Sequence, residues 1–82
     1  MWRIVEVEAL PGFRLEVRFA DGVEGIVDLS QDLWGPMFEP LEDPEYFAKV
    51  AIDEFGAPCW PNGADLAPDA IYDELVAARQ AR

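Results

Sequence analysis

The stretch Phe13-Arg14-Leu15-Glu16-Val17-Arg18-Phe19-Ala20-Asp21-Gly22-Val23-Glu24-Gly25-Ile26-Val27-Asp28-Leu29 decides the fold. Phe13, Leu15, Val17 and Phe19 alternate with Arg14, Glu16 and Arg18, the period of a half-buried strand. Val23, Gly25, Val27 and Leu29 repeat that period beyond Ala20-Asp21-Gly22. A two-residue Asp-Gly turn would pair Phe19 with Glu24 and Leu15 with Asp28, mixing the two faces. A three-residue loop with Gly22 in the left-handed conformation pairs Phe19 with Val23 and Leu15 with Val27. It also sets Arg18 against Glu24 and Arg14 against Asp28 on the outer face. This register keeps both faces consistent, so the segment reads as an antiparallel hairpin.

Upstream, Trp2 to Ala9 carries Ile4, Val5 and Val7 and reads as another strand. Ile4 and Val5 are adjacent, which predicts a bulge or burial on both faces. Leu10-Pro11-Gly12 forms the intervening turn. Downstream, Leu29 to Trp34 reads as a helical turn capped by Ser30 and ended by Gly35-Pro36. Asp43 caps a short helix from Pro44 to about Ala48, with Glu45 near its positive end. Val50, Ile52 and Asp53 begin a strand, Gly56 turns the chain, and Ala57 to Trp60 returns. Pro58 puts that strand at an edge or at its own beginning. Pro61-Asn62-Gly63 is a tight turn. Pro68 opens the longest helix, to about Arg79, with Ile71, Leu75 and Ala78 as its apolar stripe and Tyr72 and Val76 beside it. Asp69, Asp73 and Glu74 near its start and Arg79 near its end suit the helix dipole. The expected architecture is a single α+β domain over residues 1–82. It has a small, mainly antiparallel sheet of about five strands, a short middle helix and a longer C-terminal helix.

Composition narrows the function. Among 82 residues there are six Lys and Arg against seventeen Asp and Glu, a formal charge of -11, and no His. Ser30, Cys59 and Lys49 are each the only residue of their type, and Thr is absent. Without His, the usual neutral-pH base and the Ser-His and Cys-His pairs are missing, so no catalytic residue is assigned and no enzyme is expected. One Cys makes neither an internal disulfide nor a zinc knuckle. Arg3, Arg14, Arg18, Lys49, Arg79 and Arg82 are scattered, which argues against direct nucleic-acid binding and against an anionic membrane surface. No apolar signal run or membrane-length stretch is present, so a cytoplasmic domain is expected. The charge favours a basic protein partner; it also serves to keep a small domain soluble.

The order Phe19, Asp21-Gly22, Asp28-Leu29, Phe38, Leu41, Asp43, Phe47, Val50 and Asp53 leads into Trp60-Pro61-Asn62-Gly63-Ala64-Asp65-Leu66 and then Pro68-Asp69 and Tyr72. This pattern resembles the small bacterial family called domain of unknown function 2442. The Trp-Pro-Asn-Gly-x-Asp-Leu-x-Pro-Asp stretch is its most specific part, and Trp34-Gly35-Pro36-Met37 looks like an insert by that comparison. The resemblance implies a compact α+β domain with a small antiparallel sheet and no activity to carry over. Some members of the family precede a helix-turn-helix segment, which is not found in this chain. Others resemble the acidic half of a toxin–antitoxin pair beside a small basic partner.

Several side chains are candidates for function. Trp60 could serve as an aromatic anchor with Asp65 and Asp69 as acceptors, but the stronger reading has Trp60 packing the core and the aspartates bonding backbone amides near the last helix. Asp65, Asp69 and Asp73 are spaced by four, but no calcium-loop spacing is present, and no metal or cofactor is assigned. Glu6, Glu8, Glu16 and Glu24 alternate with apolar residues and coat a wet sheet face. Cys59 reads as a small apolar residue. Trp34, Phe38, Tyr46, Phe47 and Phe55 crowd the irregular middle, more rings than so small a domain buries. They predict an exposed apolar patch rimmed by Glu39, Glu42, Glu45 and Glu54. The interaction candidates are therefore Trp34, Phe38, Glu39, Glu42, Glu45, Trp60, Asp65 and Asp69. The expected function is a non-enzymatic protein-interaction domain, in its most concrete form antitoxin-like with a small basic partner; a homodimer would use the same patch. The alternative is a small-ligand or metal-sensing module around Trp60, Asp65 and Asp69.

Overall fold

The computed structural model describes residues 2–80, with side chains through residue 78. Strands β1 (Ile4–Leu10), β2 (Arg14–Phe19) and β3 (Glu24–Asp28) form an antiparallel meander in that order. A 3-10 turn (Glu39–Glu42) leads into helix α1 (Pro44–Phe47). Strands β4 (Ala51–Ile52) and β5 (Pro58–Cys59) make a separate antiparallel ribbon, and helix α2 (Pro68–Gln80) closes the chain. The class is α+β, but five strands do not join in one sheet. Gly56 in the ribbon's turn accepts the Ile4 N–H at 2.9 Å, and Val50 gives its N–H to Phe47 at 3.3 Å. With β1 bulged at Val5 and β4 only two residues long, too short a run remains for a ladder between them.

The central hairpin has the register its two faces demand. Leu15 pairs with Val27, Arg18 with Glu24 and Arg14 with Asp28. Phe19 donates to the Val23 carbonyl at 2.7 Å, and Gly22 has φ +94°. The register of β1 on β2 shifts between Ile4 and Glu6, which is the bulge the adjacent Ile4 and Val5 predict. The first turn differs: Phe13 leaves the strand and takes φ +59° beside Gly12 at +82°. Phe13 thereby turns its ring onto Phe47, edge to face at 5.5 Å.

Ile4, Leu15, Val17, Phe19, Val27, Leu41, Phe47 and Trp60 are all buried in one core with Ile71 and Leu75 of α2. Gly25 lets α2 approach: a Cβ there would lie 2.7 Å from Leu75 Cδ2. Tyr72 holds the helix to the β2–β3 loop, donating from Oη to Asp21 Oδ2 at 2.6 Å. Ala78, expected on the buried stripe with Ile71 and Leu75, is exposed. The Arg79 side chain, expected to complement the helix end, lies outside the described residues. Asp43 caps α1 as expected, accepting from Glu45 N at 3.0 Å. Leu29 to Trp34 is not helical. Ser30 caps nothing there; Asp28 Oδ1 accepts the Ser30 N–H at 2.8 Å and turns the chain.

Candidate functional site

Trp34 is the side chain the fold leaves most conspicuously unpacked. It follows buried Leu33 and is 76% exposed, and Met37, further along the same segment, is 46% exposed. The segment is held from outside. Asn62 donates from Nδ2 to the Met37 carbonyl at 2.9 Å, while its Oδ1 accepts the Ala64 N–H at 3.0 Å. The turn after Trp60 thus anchors the chain 25 residues upstream. Beside Trp34 lies a cavity of about 320 Å³ lined by Leu29, Asp32, Leu33, Trp34, Phe38 and Leu66. Asp32 is its one ionisable group, so the lining is apolar with a charged edge. Phe38 is half-buried against the core, and Glu39, Glu42 and Glu45 are exposed along the next two turns.

The aromatic cluster expected in the middle is therefore divided. Trp34 and Phe38 share the groove. Phe47 is core, and Tyr46 packs against the core with Lys49 Nζ 5.5 Å from its ring centroid. Phe55 is 71% exposed in the β4–β5 turn, where Gly56 abuts Arg3, and does not line the groove. Sequence separation is a poor guide here, because Asp53 reverses the chain by accepting from both Phe55 and Ala57 N.

Trp60 is a correction to the list of surface candidates. It is 3% exposed, and its indole Nε1 donates to the Phe47 carbonyl at 2.9 Å. A ring so placed offers no face to a partner. Asp65 and Asp69 are exposed; Asp65 pairs by backbone with Cys59, and among the described residues no side-chain hydrogen bond ties either aspartate to the start of α2. Among the described residues no group of three or more His, Cys, Asp or Glu is arranged to hold a metal ion. Burial, then Asp53 and Asp65, push the Cys59 thiol above its ordinary range, which keeps it protonated and a weak nucleophile at neutral pH.

The outer face of the meander carries a feature the sequence reading left as a wet surface. Arg18 pairs with Glu6, and that ion pair holds the Glu6 carboxyl below the usual carboxylate range. In the next row Glu8 stands directly opposite Glu16, with Ile26 beyond, and no cation belongs to that row. The register across the Leu10-Pro11-Gly12 turn, which the sequence alone leaves undetermined, is the signal that carries this pair.

These features define a small acidic α+β domain with an apolar groove under the exposed Trp34. The model of the family described as protein of unknown function, DUF2442, matches residues 4–77, and the chain belongs to that family. No curated protein and no solved structure matches the chain. No helix among the described residues is long and apolar enough to cross a membrane.

Proposed function

We propose that the domain is a non-enzymatic protein-interaction module whose docking surface is the Trp34–Phe38 groove and whose partner is a small basic protein. The acidic, antitoxin-like member of a two-protein system is the concrete form of this reading. The observation that carries it is Trp34. Holding a tryptophan 76% exposed forgoes the burial of one of the largest apolar side chains, yet Asn62, itself oriented by the Ala64 N–H, donates a hydrogen bond that fixes the segment at Met37. Exposed aromatic anchors beside apolar pockets are typical binding hot spots. The acidic balance of -11 supplies the complement to a basic partner. The competing ligand- or metal-sensing reading loses its ring, because Trp60 is buried.

The test is co-purification from the native host with wild-type and Trp34→Ala bait. A basic protein captured by wild type and lost with Trp34→Ala supports the proposal. Capture unaffected by the substitution would remove the Trp34 groove as the docking surface, and thermal stabilisation by a metabolite or divalent metal with no partner recovered would favour the sensing alternative.

A further inference from the structure

The outer edge of β1 and the facing edge of β4 are both open. The Phe19–Val23 backbone bond sets the phase of the meander, since antiparallel pairs alternate. Leu15, Val17 and Phe19 direct their backbone groups to β3, and Arg14, Glu16 and Arg18 direct theirs to Leu10, Glu8 and Glu6 of β1. Val7 and Ala9 consequently point their N–H and C=O groups away from the sheet. Ile4 faces the same way ahead of the bulge, and Gly56 takes its N–H. Among the described residues no backbone bond takes those of Val7 or Ala9. On the ribbon, the Asp53 N–H to Ala57 carbonyl bond sets Ala51 toward β5 and Ile52 away from it. Between the two edges lies a cavity of about 560 Å³, bounded by Val5 to Glu8 on one side and Val50 to Ile52 on the other, with Glu16, Arg18 and Glu24 on its floor.

We infer that this wedge receives an extended, cationic segment of a partner protein, which adds a strand to β1 and lays Lys or Arg side chains over Glu8 and Glu16. Strand addition uses open main-chain groups for affinity and alternate side chains for choice of partner. Glu8 and Glu16 supply that choice. Like charges directly opposite one another destabilise a sheet, and here the neighbouring row has Arg18 while this row has no cation. A lysine or arginine from an added strand would relieve the pair. A second copy of this chain is rejected on the same ground. Antiparallel self-pairing of β1 about Glu8 would set Glu8 against its own copy, with -11 on each partner. The wedge is distinct from the Trp34 groove, and neither requires the other.

The probe is a capped peptide, Lys-Val-Lys-Val-Lys-Val-Lys, titrated at low salt while amide exchange is followed by NMR. The Val7 and Ala9 amides should exchange at least about tenfold more slowly when the peptide is bound. A fully N-methylated peptide, equally charged but unable to donate, should lose this protection and most of the affinity. The Glu8→Gln/Glu16→Gln double variant should bind about tenfold more weakly, and Trp34→Ala should bind as wild type does. Equal binding of the methylated peptide, protection only along Glu24 to Asp28 of β3, or no binding at low salt would overturn the inference. So would a concentration-dependent dimer of the free protein that protects Val7 and Ala9.

Discussion

Trp60 shows how one residue can be both motif and core. Its ring lies against Phe47 with centroids 5.8 Å apart, and its N–H satisfies the Phe47 carbonyl at the end of α1. Trp60→Ala should cost about 3–5 kcal/mol, as large aromatic deletions in cores do. Trp60→Phe keeps most of the apolar area but removes one of that carbonyl's two donors, leaving the Val50 N–H, at about 0.5–1.5 kcal/mol. Urea unfolding of both variants checks the order; a Trp60→Phe variant as stable as wild type would mean that the hydrogen bond contributes nothing. Glu6 makes a pH prediction at the same scale. Its folded-state pKa is depressed, chiefly by the hydrogen bond from Arg18 and then by that group's charge. Below its unfolded pKa the unfolded state binds the proton more readily, so the pair's contribution is present at neutral pH and fades as pH falls through the folded pKa. The stability difference between wild type and Glu6→Gln should therefore shrink toward zero in acid. A difference that grew on acidification would contradict the pairing.

At the level of elements, the same loop is used three times. Phe19–Val23, Asp53–Ala57 and Trp60–Ala64 are each closed by a backbone bond, with Gly22, Gly56 and Gly63 at positive φ. The surroundings differ, and so should the mutational costs. A Cβ on Gly22 meets nothing within 4 Å, so Gly22→Ala should cost only the backbone term of about 1–2 kcal/mol. A Cβ on Gly56 would lie 2.9 Å from the Arg3 Cα, so Gly56→Ala should be the more destabilising in thermal melts. Asn62→Ala tests the link between loop and groove. It removes both bonds of the amide, at about 1–2 kcal/mol in all, and should speed amide exchange around Met37 while leaving the β2–β3 hairpin protected.

Those loops also mark what could be read from sequence. The hairpin register was legible because a period of two forces both faces at once, and a one-residue slip would bury Arg18 or Glu16. The caps of α1 and the start of α2 were legible from Asp43, Pro44 and Pro68. The division of the sheet was not, because two-residue strands carry no periodicity and the fate of Val50 depends on Phe47 across a turn. Nor was the exposure of Trp34. Its neighbour Leu33 is equally apolar and is buried, and no local pattern in the sequence separates the two.

For the whole molecule, the charge of -11 makes association and dissociation separable. A basic partner should be drawn in by long-range attraction, whose reach falls as the Debye length shrinks from about 10 Å at 0.1 M salt to about 3 Å at 1 M. The on-rate should fall steeply over that range. Contacts made in the apolar Trp34 groove would be short-ranged, so the off-rate should change much less. Replacing Glu39, Glu42 and Glu45 by Gln should slow association and leave the fold intact, since all three side chains are exposed. Trp34→Ala should instead speed dissociation. It is the cleaner probe than Phe38→Ala, because Phe38 also packs against the core and its loss would lower stability as well. Stopped-flow kinetics across the salt series separates the two rates. Association that ignores salt would remove the electrostatic argument for a basic partner, and dissociation that tracks salt as strongly as association would move the contact from the apolar groove to the carboxylates.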